Sequence, residues 1–199
     1  MRFIKPVLTL LATLSLVSCQ KKSISDCVPE YKVIVDFSKK IKKDSGLRLS
    51  SYGVNNFLPD DYEIINGIAN FNATYFLSTK KEDLFTLHRA RALLVSVTES
   101  FRNEINANEG IRSELDEFPI SSNRINVGIY FKDANQIDLG QGICQAHLSH
   151  GKIRYERYDI QEYTGKFPAI GTHYTVHEES YEEALEKVKK QGLITYYNL

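Results

Sequence analysis

The chain has 199 residues, and its 25 Lys and Arg balance 25 Asp and Glu. That neutrality, with no basic stripe along the chain, excludes the usual electrostatic footprint of a nucleic-acid binder. With 42% hydrophobic residues it can bury one adequate core, while three cysteines are too few for a disulfide framework.

The N-terminus comes first. Arg2 and Lys5 precede an uncharged stretch from Val7 to Val17, the parts of a secretory signal. The stretch is about half of the ~20 residues that a spanning helix needs, so it is not expected to persist as a membrane span. Leu16-Val17-Ser18-Cys19 resembles the lipobox of bacterial lipoproteins: an aliphatic residue, two small or modest residues, then cysteine. The resemblance covers residues 1–19 only. It implies cleavage before Cys19, a diacylglycerol on its thiol, and commonly acylation of the new amino terminus. Two or more chains give a stable anchor where one is marginal, since each buried CH₂ contributes ~0.8 kcal/mol. Gln20 rather than Asp at the next position points to the outer membrane, where the host has one. The expected organisation is a signal peptide over 1–18, the lipidated cysteine and a polar tether over 19–27, and a single domain over 28–199 in the bacterial cell envelope, facing the periplasm. Residues 1–18 hold two cations and no acid, so the remainder carries a formal charge of −2.

Pro29 suits a helix first turn, Ile34, Phe37 and Ile41 recur at helical spacing, and Gly46 can end that helix in αL. Lys39, Lys40, Lys42 and Lys43 fit its solvated face; the alternative is a patch for anionic headgroups beside the anchor. Leu47 to Leu49 begins a short strand, and 55–61 reads as a loop. Residues 65–77 alternate between apolar positions (Ile65, Ala69, Phe71, Ala73, Tyr75, Leu77) and polar ones (Asn66, Asn70, Asn72, Thr74), with Ile68 and Phe76 as exceptions, which predicts a strand with one wet face. Thr79-Lys80-Lys81-Glu82 matches a capping box opening a helix whose stripe is Leu84, Leu87, Ala90, Leu94, Val97, Phe101 and Ile105, ended by Asn108-Glu109-Gly110. Ile111 and Leu115 suggest one further turn.

Ile125, Val127, Ile129 and Phe131 alternate with Asn126, Gly128, Tyr130 and Lys132; Cys144, Ala146 and Leu148 alternate with Gln145, His147 and Ser149. Ile153, Tyr155 and Arg157 follow, with His150-Gly151 as a two-residue hairpin turn. Residues 161–179 predict an irregular excursion with a strand at Tyr174 to Val176. Ser180-Tyr181-Glu182-Glu183 is a second capping box, opening a helix with the stripe Tyr181, Ala184, Leu185 and Val188, the pairs Glu183–Lys187 and Glu186–Lys190, and Gly192 at its end. The order is helix, two strands, helix, three strands, helix. It predicts an α+β two-layer sandwich, with helices packed on one face of a largely antiparallel sheet.

Five histidines raise metal chemistry, but no tetrahedral zinc spacing and no HExxH occur. His173 and His177 would share a strand face yet sit ~13 Å apart along it. No P-loop, GxSxG or SxxK is found, Gly140-Gln141-Gly142 lacks the dinucleotide pattern, and no cofactor is implied. Acidic pairs such as Glu178-Glu179 read as loop or helix-start residues. Cys144 reads as a small core residue; a bridge to Cys27 is the alternative. The expected binding surface is the sheet face away from the helices, with Asn66, Asn70, Asn72, Asn126, Tyr130, Gln145 and His147. Amides and aromatics there suit a sugar, a peptide or an envelope protein, although one face of an antiparallel sheet is ordinarily just solvated. The leading expectation is a membrane-anchored, non-catalytic binding or scaffolding domain. The rivals are a lipid-anchored hydrolase assembled around His147, His173 and His177, and a purely structural envelope component.

Overall fold

In a computed structural model of the chain, the described residues are 29–55, 70–79, 85–133, 142–160 and 171–194. Helix α1 (Pro29–Ser45) leads into β1 (Arg48–Asn55). Then come β2 (Asn70–Thr79), α2 (Leu87–Ala107), β3 (Ile125–Asp133), β4 (Gln145–Ser149), β5 (Lys152–Ile160), β6 (Gly171–Ser180) and α3 (Tyr181–Lys190). The six strands lie side by side in sequence order. Every neighbouring pair is antiparallel except β2 and β3, which run parallel with α2 as their crossover.

The alternation read in the sequence places one face of this sheet inward. Phe71, Ala73 and Tyr75 of β2, Ile125, Val127, Ile129 and Phe131 of β3, Ala146 and Leu148 of β4, and Ile153 and Tyr155 of β5 are buried. Against them lie the stripes of α1 (Val33, Ile34, Phe37, Ile41), α2 (Ala90, Leu94, Val97, Phe101, Ile105) and α3 (Tyr181, Ala184, Leu185, Val188). Each large side chain so buried contributes about 1.5–3 kcal/mol. Phe101 joins the layers, its ring 5.0 Å from that of Phe37 and 6.0 Å from that of Phe71. The α+β architecture expected from the sequence is the one observed. Among the described residues, no helix is long and apolar enough to cross a membrane.

Local signals hold where their partners are local. His150 and Gly151 turn the β4–β5 hairpin with φ of 49° and 72°. A Cβ on Gly151 would meet only the end of the exposed Asn123 side chain, which can turn aside, so it is the positive φ that favours glycine there. The Ser180–Glu183 capping box is complete in both directions. Of the lysine cluster, Lys39 donates to Asp36 at 3.0 Å and Lys40 to Glu104 at 2.7 Å, as the solvated-face reading requires.

Four expectations are corrected. Thr79 ends β2 rather than capping a helix: its hydroxyl donates to the Lys132 carbonyl across the parallel pair, and Thr86 is the cap of α2, accepting from the Arg89 N–H. The strand expected at 174–176 runs from Gly171 to Ser180, because the long partner β5 supplies a hydrogen-bonding edge that the local sequence does not reveal. Glu178 and Glu179 therefore lie within β6, not in a loop. Lys187 turns to Glu179 at 2.7 Å instead of pairing with Glu183, whose carboxylate is engaged by the cap.

Candidate functional site

The open face of the sheet is built by strand register. Asn72 of β2 stands opposite Asn126 of β3; Thr74 opposite Gly128, which faces His147 of β4; Phe76 opposite Tyr130, which faces Gln145. Gln145 in turn faces Glu156 of β5, and His147 faces Arg154. Five of the seven residues expected at a binding surface, namely Asn72, Asn126, Tyr130, Gln145 and His147, thus share one face, and all five are half-buried by their neighbours. Asn70 opens β2 opposite Asn55. Asn66 lies outside the described residues, as do Cys19 and Cys27.

The middle of this face carries no formal charge. Burial pushes His147 below the ordinary histidine value; nearby Glu156 opposes the shift, and Arg154 and His150 add to it. At neutral pH the ring offers one donor and one acceptor. Gly128 leaves a dent between two walls: a Cβ there would meet Thr74 Oγ1 at 3.5 Å and His147 Cδ2 at 3.6 Å. A glycine inside a central strand marks a place of close approach. Beside the dent, Asn126 Oδ1 is buried and has no hydrogen-bond partner among the described residues. Such a group costs about 1–3 kcal/mol until a donor reaches it. Charges lie around the periphery: Lys132, its ammonium 5.7 Å from the Phe76 ring centroid, Glu156, and Arg154 paired with Glu178 at 2.7 Å. The strand pattern implied Asn126 and Tyr130. It put Thr74 and Gly128 on the polar side of their strands as well, but only register makes these two, with Phe76 and Glu156, neighbours of the expected residues.

The histidines expected to converge do not. On an unbroken strand His173 and His177 would share a face, but Tyr155 pairs with His177 while the next residue, Glu156, pairs with Thr175, so Val176 is an extra residue on β6. This bulge puts the two rings on opposite faces. His173 lies on the open face with its Nδ1 3.8 Å from Glu156 Oε2 and 3.5 Å from Cys144 Sγ, and its ring meets that of Tyr158 edge-on at 5.1 Å. His177 stacks on Tyr155 on the helix side, 5.8 Å between centroids. The Cys144–His173–Glu156 group is not a nucleophile relay. A base takes a proton on one ring nitrogen while an acid orients the other, and here Nδ1 faces both partners. Cys144 is itself only 1% exposed. Among the described residues, no three His, Cys, Asp or Glu side chains are arranged to hold a metal ion.

A second polar system lies on the helix side and had no signal in the sequence. The Glu179 side chain is 2% exposed. Oε1 accepts from Arg91 Nε of α2 at 2.6 Å and Tyr155 Oη at 2.8 Å, and Oε2 accepts from Lys187 of α3 at 2.7 Å. Burial drives the Glu179 carboxyl upward, but the hydrogen bonds from Arg91, Lys187 and Tyr155 outweigh it and hold the group below its ordinary range. Nearby, Tyr181 Oη donates to Glu99 at 2.6 Å, and Arg102 donates to the same carboxylate at 3.1 Å. Glu179 ties α3 to α2 and β5, and Glu99 ties α3 to α2. An apolar groove of about 290 Å³, lined in part by Leu77, Phe85, His88, Arg89 and Leu193, lies on this same side, and none of the residues expected at the binding surface lines it.

No protein-family model matches the chain, and neither curated proteins nor solved structures give a match.

Proposed function

We propose that this chain is a lipid-anchored envelope lipoprotein whose α+β domain is a non-catalytic binding or scaffolding module, held at the membrane through Cys19 and using the open sheet face as its contact surface. One observation carries the binding reading: strand register gathers Asn72, Asn126, Tyr130, Gln145 and His147 into one half-buried polar row around Gly128. The single-nitrogen geometry at His173 weighs against the hydrolase alternative. The anchor rests on the resemblance of Leu16 to Cys19 to a lipobox.

Two measurements test this reading. Mass spectrometry of the product purified from its native membrane is expected to find a chain beginning at an acylated Cys19; an intact leader or an unmodified cysteine there refutes the anchor. A photo-crosslinking residue at Tyr130 is expected to trap an envelope component in living cells, while the same residue at Lys189, on the exposed side of α3, traps none. Equal labelling from both positions refutes the contact surface.

A further inference from the structure

The groove on the helix side has the makings of a separate site. Leu77 of β2, Phe85, Ala92 and Leu93 of α2 and Leu193 beyond α3 give it apolar walls around about 290 Å³. A cavity of ~150 Å³ holds a benzene ring, so this volume takes about twice as many carbons. His88 and Arg89 line the same groove, and no Asp or Glu among the described residues does. The Arg89 guanidinium lies 4.8 Å from the centroid of the Phe85 ring, and no carboxylate among the described residues pairs with it. Both His88 and Arg89 are exposed, in a first turn of α2 that holds no acid. A cation there opposes the helix dipole, so Arg89 is not placed for the stability of the helix. The walls suit hydrocarbon and not a peptide. A bound backbone needs hydrogen-bonding partners, but the backbone of α2 is closed within the helix, β2 is flanked by β1 and β3, and the Phe85 carbonyl already accepts from the Ile143 N–H.

We infer that this groove binds one fatty-acid-like molecule: an unbranched acyl chain of about ten to twelve carbons along Leu77, Leu93 and Leu193, its carboxylate accepting hydrogen bonds from Arg89. A guanidinium presents its N–H donors in one plane, the geometry that a carboxylate matches. Because Arg89 is exposed, the charged head stays at the solvent boundary and the pair is not fully desolvated. The chain covers Leu193, which is otherwise 37% exposed. The groove shares no residue with the open sheet face, so neither reading depends on the other.

Photoaffinity labelling tests this on the full-length chain, held in an uncharged steroid detergent that has no alkyl chain to compete. The probe is dodecanoate carrying a mid-chain diazirine, and labelled peptides are identified by mass spectrometry. Label is expected on the peptides that contain Phe85 to Leu93 or Leu193. Unmodified dodecanoate should suppress it at a concentration about tenfold or more below that of dodecanol or dodecylammonium, as one charge-assisted hydrogen bond at an exposed site provides. Arg89→Gln should erase that preference. Ala92→Leu fills the groove while keeping a good helix former; it should abolish groove labelling with a circular-dichroism melt like that of the wild type. Arg89→Gln, a change at an exposed residue, keeps the test decisive if Ala92→Leu fails to fold. Absence of label at the groove, equal suppression by all three competitors, preference for the ammonium, a preference that survives Arg89→Gln, or undiminished labelling of the folded Ala92→Leu protein overturns the inference. So does co-sedimentation with phosphatidylglycerol vesicles without groove labelling, which would make this side of the domain a bilayer contact.

Discussion

Replacing Glu179 by Gln keeps the volume and shape of the side chain but removes its charge from a site that is 2% exposed. The wild-type carboxylate accepts from three donors: Arg91 and Tyr155 share Oε1, and Lys187 holds Oε2. An amide offers one acceptor oxygen, and its NH₂ must then confront either Lys187 or the Arg91–Tyr155 pair. Lys187 is 47% exposed and retains water, so its share is at most ~1 kcal/mol. Arg91, 11% exposed, is the costly partner, since its guanidinium is left without its counter-charge. Breaking a buried pair from one side costs about 3–5 kcal/mol. For a domain of this size that is a fall in Tm of roughly 6–20 °C. Thermal and urea unfolding followed by circular dichroism at pH 7 will measure it, with Arg91→Met and the Glu179→Gln/Arg91→Met double variant completing the cycle. The double variant is expected to lose less than the two single losses combined. The pH dependence has a definite sign. Folding holds this carboxyl below its ordinary range, so its stabilisation is fully present above the unfolded value of ~4.3 and is lost as pH falls through the lower folded value. Stability of the Glu179→Gln variant should therefore decline less steeply than wild type on acidification in that window. A variant within ~0.5 kcal/mol of wild type at pH 7, the scatter of ordinary surface changes, would refute the assignment of Glu179 as the clamp on α3.

Two further substitutions isolate single terms. Tyr75 Oη is buried in the core with no partner among the described residues, and burial pushes its phenol well above the ordinary tyrosine value. Tyr75→Phe should stabilise the fold by about 1 kcal/mol, because it removes a desolvated hydroxyl and keeps the edge contact with Phe37 at 6.4 Å; a lower unfolding midpoint in urea contradicts this. Ser180→Ala removes the reciprocal cap of α3 and should cost about 1 kcal/mol in the same assay; no change would mean that Tyr181, Leu185 and Val188 hold the helix start unaided.

Strand faces and helix stripes were legible because period two and period 3.6 are local properties of the chain. The alternation of Ile125 to Phe131 placed Asn126 and Tyr130 on the open face without knowledge of any neighbour, and the stripe of α2 emerged as read from Ala90 to Ile105. The start of α2 did not. Thr79-Lys80-Lys81-Glu82 reads as a capping box, but Thr79 is engaged by Lys132 of β3, more than fifty residues along the chain, and Thr86 caps the helix instead. Glu179 was misassigned for the same kind of reason. Its donors come from α2, β5 and α3, and nothing in the run Glu178-Glu179 distinguishes the exposed partner of Arg154 from the buried partner of Arg91. The dent at Gly128 needs β2 and β4 in register before Thr74 and His147 become its walls.

The extra residue in β6 decides which chemistry each face receives. Between Thr175 and His177 the strand's odd-numbered residues change face. His177 and Glu179 therefore enter the charged cluster beneath the sheet, while His173 and Thr175 border the neutral surface above it. Ser180, the cap of α3, ties the C-terminal part of β6 to the helix. Deletion of Val176 removes the one extra residue, so Thr175 directly precedes His177 and plain alternation keeps Glu156 opposite Thr175 and Tyr155 opposite His177. The deletion should thus leave Glu179 on Arg91 and keep both the Tyr155–His177 ring contact at 5.8 Å and the Tyr158–His173 contact at 5.1 Å. Ring-to-ring NOEs report on both contacts in one spectrum. Loss of the Tyr158–His173 cross-peaks with survival of those between Tyr155 and His177 would mean that residues 171–175 reverse their faces, and that Val176 belongs to the ladder instead of being its extra residue.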